Sequence, residues 1–177
     1  MTIKANSITE FLTSFKSLLK LGPAKNGLIF CFVLVFLDQF TKHTVLNQIT
    51  ETDSVPILPI LDFVLIWNTG ISYGLFDSSG MFGRVTLSVL GLLITLFLLV
   101  QMVRSTGKLE RVGYCLIIGG AIGNIIDRVI YGGVIDFISF HYENYYWYVF
   151  NLADVWISLG VITVSYTHLR AHETMEY

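Results

Sequence analysis

Four carboxylates stand where a carboxylate is costly. Asp38, Asp127, Asp136 and Asp154 lie within or beside long apolar runs, and an ionisable group there costs a few kcal/mol unless it has a partner or a task. Cations are fewer. Lys42 follows Asp38 by four residues, so the two share a helix face and can pair. Arg128 follows Asp127 directly and points elsewhere, available to a carboxylate or a phosphate. Asp136 and Asp154 are left without a cation of their own. Two such carboxylates at the edge of a low-dielectric region do not both ionise cheaply, and one keeps a proton. A carboxylate that activates water beside a carboxyl that donates to a carbonyl oxygen can hydrolyse an amide, and the titration belongs to the pair. Three amides, Asn68, Asn124 and Asn151, can donate to these carboxylates or to a peptide backbone. Gly70 and Gly74 follow Asn68, and Gly119, Gly120 and Gly123 precede Asn124. Such glycines let helices, or a peptide, come close to the backbone.

Each of these residues also has a purely structural reading. Asp38 with Lys42 reads first as a pair holding a helix end, and Asp127 with Arg128 and Asn124 as a buried polar cluster. Asp136 reads equally as a loop residue, and Asp154 as the N-cap of a helix. His43 and His141 are isolated and read as solvated.

The elements that must position these groups follow from composition. The chain has 177 residues, of which 54% are hydrophobic and 14% charged, and its mean hydropathy is +0.67. A soluble domain carries roughly a quarter charged residues, so lipid must cover part of this one. Four spans are expected, at about 28–46, 82–103, 112–131 and from 152 to 164 and beyond. Residues 1–26 read as an amphipathic segment on an anionic membrane surface, with Lys16 and Lys20 opposite an apolar stripe. Residues 47–80 hold Pro56 and Pro59 and β-favouring runs, and read as an extracytoplasmic segment with short strands. Residues 132–151 read as a second outer segment whose aromatic residues settle at headgroup depth. Lys4, Lys16, Lys20 and Lys25, with Arg104, Lys108 and Arg111, put the N-terminus and the 104–111 loop in the cytoplasm. Asp127 then lies about 15 residues, roughly 22 Å, along the third span. Asp38, Asp136 and Asp154 arrive near the same outer layer.

The expected architecture is an all-α membrane protein: a four-transmembrane-helix bundle with a small extracytoplasmic β-strand cradle. Its domain is 27–164. Ser165 onward turns polar and is similar to a translated adapter or vector tail, so 165–177 is expected to be non-native. His168 and His172 in that tail read as no metal site. Cys31 and Cys115, inside apolar runs, read as small packing residues. No basic tract suggests nucleic acid.

The blocks Asp38-Gln39-Phe40-Thr41-Lys42, Asn68-Thr69-Gly70-Ile71-Ser72-Tyr73-Gly74, Gly119 to Arg128, Val134-Ile135-Asp136-Phe137-Ile138 and Phe150-Asn151-Leu152-Ala153-Asp154 resemble the lipoprotein signal peptidase (type II signal peptidase) family in order and spacing. Ile71 and Ser72 depart from it, standing where two alanines are common. The resemblance implies a bacterial inner-membrane aspartic endopeptidase that removes signal peptides from diacylglyceryl-modified prolipoproteins. It implies Asp136 and Asp154 as the catalytic pair. Asp38, Lys42, Asn68, Gly70, Asn124, Asp127, Arg128 and Asn151 would line or brace the site, with a cradle around 55–66. No cofactor or metal is expected, and the expected partners are a lipid-modified prolipoprotein and membrane lipids, with the protein a monomer. Two other classes fit a membrane chain with acids: a small proton-coupled membrane transporter, and a structural subunit whose carboxylates bind a partner helix. The acids form no chain through the membrane and no inverted repeat is evident, which disfavours the transporter.

Overall fold

The computed structural model describes residue 13 and residues 22–70, 81–143 and 145–173. The described residues form four long helices and four strands in the order α1 (Gly22–Gln48), β1 (Ser54–Leu58), β2 (Leu61–Asn68), α2 (Met81–Arg104), α3 (Lys108–Ile130), β3 (Val134–Tyr142), β4 (Tyr145–Tyr146) and α4 (Leu152–Glu173). Each helix is long and apolar enough to cross a membrane. Their outward faces carry large apolar side chains that water would penalise, such as Phe32 and Phe36 on α1 and Leu93 and Phe97 on α2. Lipid supplies the missing apolar surroundings.

Helix α3 is the hub and packs against α1, α2 and α4. Its glycines make this possible. A β-carbon at Gly119 would sit 2.7 Å from Leu34 Cβ of α1. At Gly120 it would strike the Ala153 carbonyl of α4, and at Gly123 the Asp38 carboxylate. Close backbone approach at small residues is how helices associate when lipid removes the hydrophobic drive. One apolar cluster, containing Cys31, Met102, Tyr114, Cys115 and Ile118, fills the end where α1 and α3 begin. Another, containing Val45, Ile49, Leu65, Ile135 and Phe137, joins the far end of α1 to the sheet. The two cysteines are thus buried neighbours from different spans, where Cys31 Sγ approaches the Cys115 carbonyl at 3.7 Å.

The strands form one antiparallel sheet in the order β1-β2-β3-β4. Pro56 lies in the edge strand β1, where a missing N–H breaks no central ladder. The aromatic stretch after α3 is therefore not simply an interface belt. Val134–Tyr142 is a strand paired to β2, and Phe137 is buried edge-on against Phe63 at 5.7 Å. The mixture of β-branched and aromatic residues there favours a half-buried pleated surface. At the hairpin tip Tyr142, Tyr145, Tyr146 and Trp147 are exposed.

Helix α1 begins at Gly22, six residues before the expected start, and α4 continues to Glu173 through the polar run after Val164. The amphipathic stripe before Gly22 and the side chain of His172 lie outside the described residues, as do Ile71, Ser72 and Gly74.

Candidate active site

The polar residues converge where the ends of α1 and α3 meet β3 and the start of α4. Lys42 is 1% exposed and paired with two fully buried carboxylates. Its ammonium lies 2.9 Å from Asp38 Oδ2 and 2.7 Å from Asp127 Oδ2, and donates to Asn124 Oδ1 at 3.0 Å. Three acceptors match the three protons of an ammonium. The Asp38–Lys42 pair expected from spacing is present. Asp127, however, pairs across helices with Lys42 and not with its neighbour Arg128. A helix turns 100° per residue, so adjacent side chains diverge while Lys42 approaches from α1.

These carboxylates also pin neighbouring elements. Asp127 Oδ2 accepts the Ile135 backbone N–H at 3.2 Å, fixing the start of β3 to α3. Asp38 Oδ1 accepts the Ala153 N–H at 2.9 Å, fixing the first turn of α4 to α1. Gln39 Nε2 donates to Asp127 Oδ1 at 2.9 Å and to Asp38 Oδ2 at 3.2 Å. Gln39 was legible only as part of a motif, because nothing in its spacing gives it a role.

Asp136 and Asp154 are joined through Asn151. The Asn151 side-chain amide donates to Asp136 Oδ1 at 2.7 Å. Its carbonyl oxygen accepts the Asp154 backbone N–H at 3.0 Å, and its own backbone N–H donates to Asp154 Oδ2 at 3.2 Å. That reciprocal arrangement is a capping box in which Asn151, and not Asp154, is the N-cap of α4. Asn124 donates to Asp154 Oδ1 at 3.0 Å, and its carbonyl oxygen accepts from Asn151 as well as Lys42. On the other side, Asn68 Nδ2 donates to Asp136 Oδ2 at 2.9 Å. Strand register explains this reach: Ile66 opposes Asp136 and Asn68 opposes Val134, so Asn68 and Asp136 are diagonal neighbours. Asn68 Oδ1 accepts the Gly70 N–H at 3.3 Å, a local turn that holds the amide.

All ten residues singled out from sequence therefore belong to one connected region. Arg128 is its least engaged member: one Nη donates to the Asn124 carbonyl at 3.2 Å, while the buried Nε has no partner among the described residues. Its charge acts on Asp136, Asp154 and Asp127. Among the described residues, neither Asp136 nor Asp154 has an ion pair within 4.0 Å. Burial pushes the Asp136 carboxyl up to about 6, partly offset by the Asn68 amide and reinforced by the charge of Asp154. Tyr148 is a member that sequence reasoning missed. Asn68 Nδ2 donates to its hydroxyl at 3.3 Å, which places this half-exposed phenol at the rim.

A four-span bundle with a small sheet over a buried acid–amide cluster defines a polytopic membrane protein of a specific kind. The family model described as signal peptidase (SPase) II matches residues 30–170. The lipoprotein signal peptidase of Rhodopseudomonas palustris (strain TIE-1) is 43% identical over 153 residues, covering 83% of this chain and 93% of that one. The lipoprotein signal peptidase of Methylobacterium radiotolerans is 42% identical over 142 residues, covering 79% and 83%. Among solved structures, a bacterial membrane enzyme determined by the in meso method superposes with a TM-score of 0.75 at 25% identity, covering 85% of this chain and 91% of that one. The chain belongs to the signal peptidase II family, and is a multi-pass bacterial membrane peptidase.

Proposed function

We propose that the chain is an aspartic endopeptidase that removes the signal peptide from diacylglyceryl-modified prolipoproteins, using Asp136 and Asp154 to activate water. One observation carries this reading. Two carboxylates that have no ion-pair partner among the described residues share Asn151 as a common bridge at the rim of the bundle, beside a buried network that already consumes Lys42. Burial raises the proton affinity of Asp136, which suits it to carry the shared proton as the acid, with Asp154 as the base. Asp154 takes a proton from water as its oxygen attacks the scissile carbonyl, and Asp136 donates its proton to the carbonyl oxygen. Collapse of the resulting gem-diol breaks the C–N bond as the proton on Asp154 passes to the leaving amine and one hydroxyl proton returns to Asp136, restoring the starting pair. The curated relatives are named lipoprotein signal peptidases, which supports a prolipoprotein substrate. The basic residues at the other end of the bundle support an extracytoplasmic site at headgroup depth, reached laterally by a lipid-anchored substrate.

The test is incubation of purified protein with a diacylglyceryl prolipoprotein, followed by mass measurement of the products. The wild type releases the signal peptide, while Asp136→Asn and Asp154→Asn release none and remain inserted. Processing by either variant would refute the assignment.

A further inference from the structure

A second concave site lies at the opposite end of the bundle, where α1 and α3 run parallel and begin side by side. The cavity measures about 360 Å³ and is lined by Asn26, Gly27 and Phe30 from α1 and by Lys108, Arg111 and Val112 from α3. Pro23 and Cys115 complete the lining. Lys108 is 19 residues before Asp127, roughly 28 Å along α3, so this cavity has no part in the acid–amide cluster.

Its chemistry is divided. Two cations and an amide stand toward the polar end, and Phe30 and Val112 form an apolar wall toward the membrane interior. The acid nearest in sequence, Glu110, is not part of the lining and is engaged elsewhere. Its carboxylate accepts from Ser105 Oγ at 2.6 Å and from the Tyr114 hydroxyl at 3.1 Å. Arg111 donates through one Nη to the Ser105 carbonyl, and its buried Nε has no partner among the described residues. The cavity is therefore electropositive, with guanidinium donor capacity to spare, and its lower wall matches hydrocarbon. A basic pocket between membrane helices with an apolar wall suits a lipid phosphate head group.

We propose that this cavity is a binding site for an anionic phospholipid, its phosphate held by Arg111 and Lys108 and the start of an acyl chain laid along Phe30 and Val112. The site is independent of the peptidase reading. A lipid seated there wedges the α1–α3 seam at the end remote from the catalytic carboxylates.

Native mass spectrometry of the full chain, released from detergent with phosphatidylglycerol or phosphatidylcholine added, tests this. Phosphatidylglycerol is expected to remain bound in preference to phosphatidylcholine. Lys108→Gln with Arg111→Gln is expected to weaken retention about 25-fold, from roughly fivefold per cation. Asn26→Trp, which puts a large side chain into the lining and keeps both charges, is expected to abolish retention if the lipid sits in the cavity, and it separates occupancy from general charge attraction. Lys108→Arg is expected to retain the lipid. Equal retention of the two lipids, undiminished binding by the double variant or by Asn26→Trp, or displacement of the lipid by equimolar inorganic phosphate would each overturn the proposal.

Discussion

The Asn151 amide donates to the Asp136 carboxylate across 2.7 Å, from a residue that also caps the helix carrying Asp154. One asparagine thereby sets the relation between a strand carboxylate and a helix carboxylate. Asn151→Ala is expected to lower kcat by at least tenfold, because it removes one bond worth roughly 1.5–3 kcal/mol and a cap worth about 1 kcal/mol. Asn151→Asp, which puts a carboxylate against Asp136, should lose more. Steady-state cleavage with circular dichroism as a folding control checks both.

Asp136 also makes a prediction about stability. Its folded pKa of about 6 lies above the ordinary 3.8, so the folded state binds the proton more tightly than the unfolded state. Stability from this group is therefore greatest below the ordinary value and is lost as pH rises through the window from 3.8 to about 6. The loss is on the order of 3 kcal/mol at neutral pH. Asp136→Asn should then unfold at a higher temperature than wild type at pH 7.5 while being inactive, with the gap narrowing as pH falls toward 4. Thermal unfolding in detergent across that range measures it. A gap that widens on acidification would contradict the sign.

Lys42→Met leaves Asp38 and Asp127 facing each other in the interior without a cation. Breaking one partner of a buried charge network costs about 3–5 kcal/mol. The variant should be expressed poorly or unfold well below wild type, and adding Asp38→Asn and Asp127→Asn should recover part of the loss.

Gly123→Ala directs a methyl group into the Asp38 carboxylate, displacing the Oδ2 that pairs with Lys42 and accepts from Gln39. Overpacking of this kind costs about 1–3 kcal/mol. By contrast Gly91→Ala meets only the Ile125 side chain, at 3.3 Å, and should be nearly neutral. Parallel melting curves distinguish the two positions.

Tyr148→Phe removes the oxygen that accepts one Asn68 amide proton and leaves the bond from Asn68 to Asp136. A neutral hydrogen bond contributes about 1 kcal/mol, so kcat should fall about fivefold. KM should stay within twofold, a split that a lost substrate contact would not give.

The spans were legible because lipid-facing helices leave long apolar runs, and the carboxylates were legible because acids beside such runs are rare. The Asp38–Lys42 pair followed from its spacing alone. What escaped was long-range. Asp127 reaches Lys42 through helix packing, a pairing between spans that no local spacing encodes. Strand β3 hid among aromatic residues that suit an interface equally well, and its ladder to β2, with Phe137 packed on Phe63, separates the two. Tyr148 enters the site by a strand return that no local pattern announces.

The bond from the Ala153 N–H to the Asp38 carboxylate links residues 115 positions apart. Ribosomal synthesis delivers α1 first and α4 last, so Asp38 waits in a half-built bundle for the segment that completes its shell. Asp154 arrives on that same final turn. On the proposed assignment, hydrolytic competence is withheld from every nascent intermediate and appears only when the last helix docks.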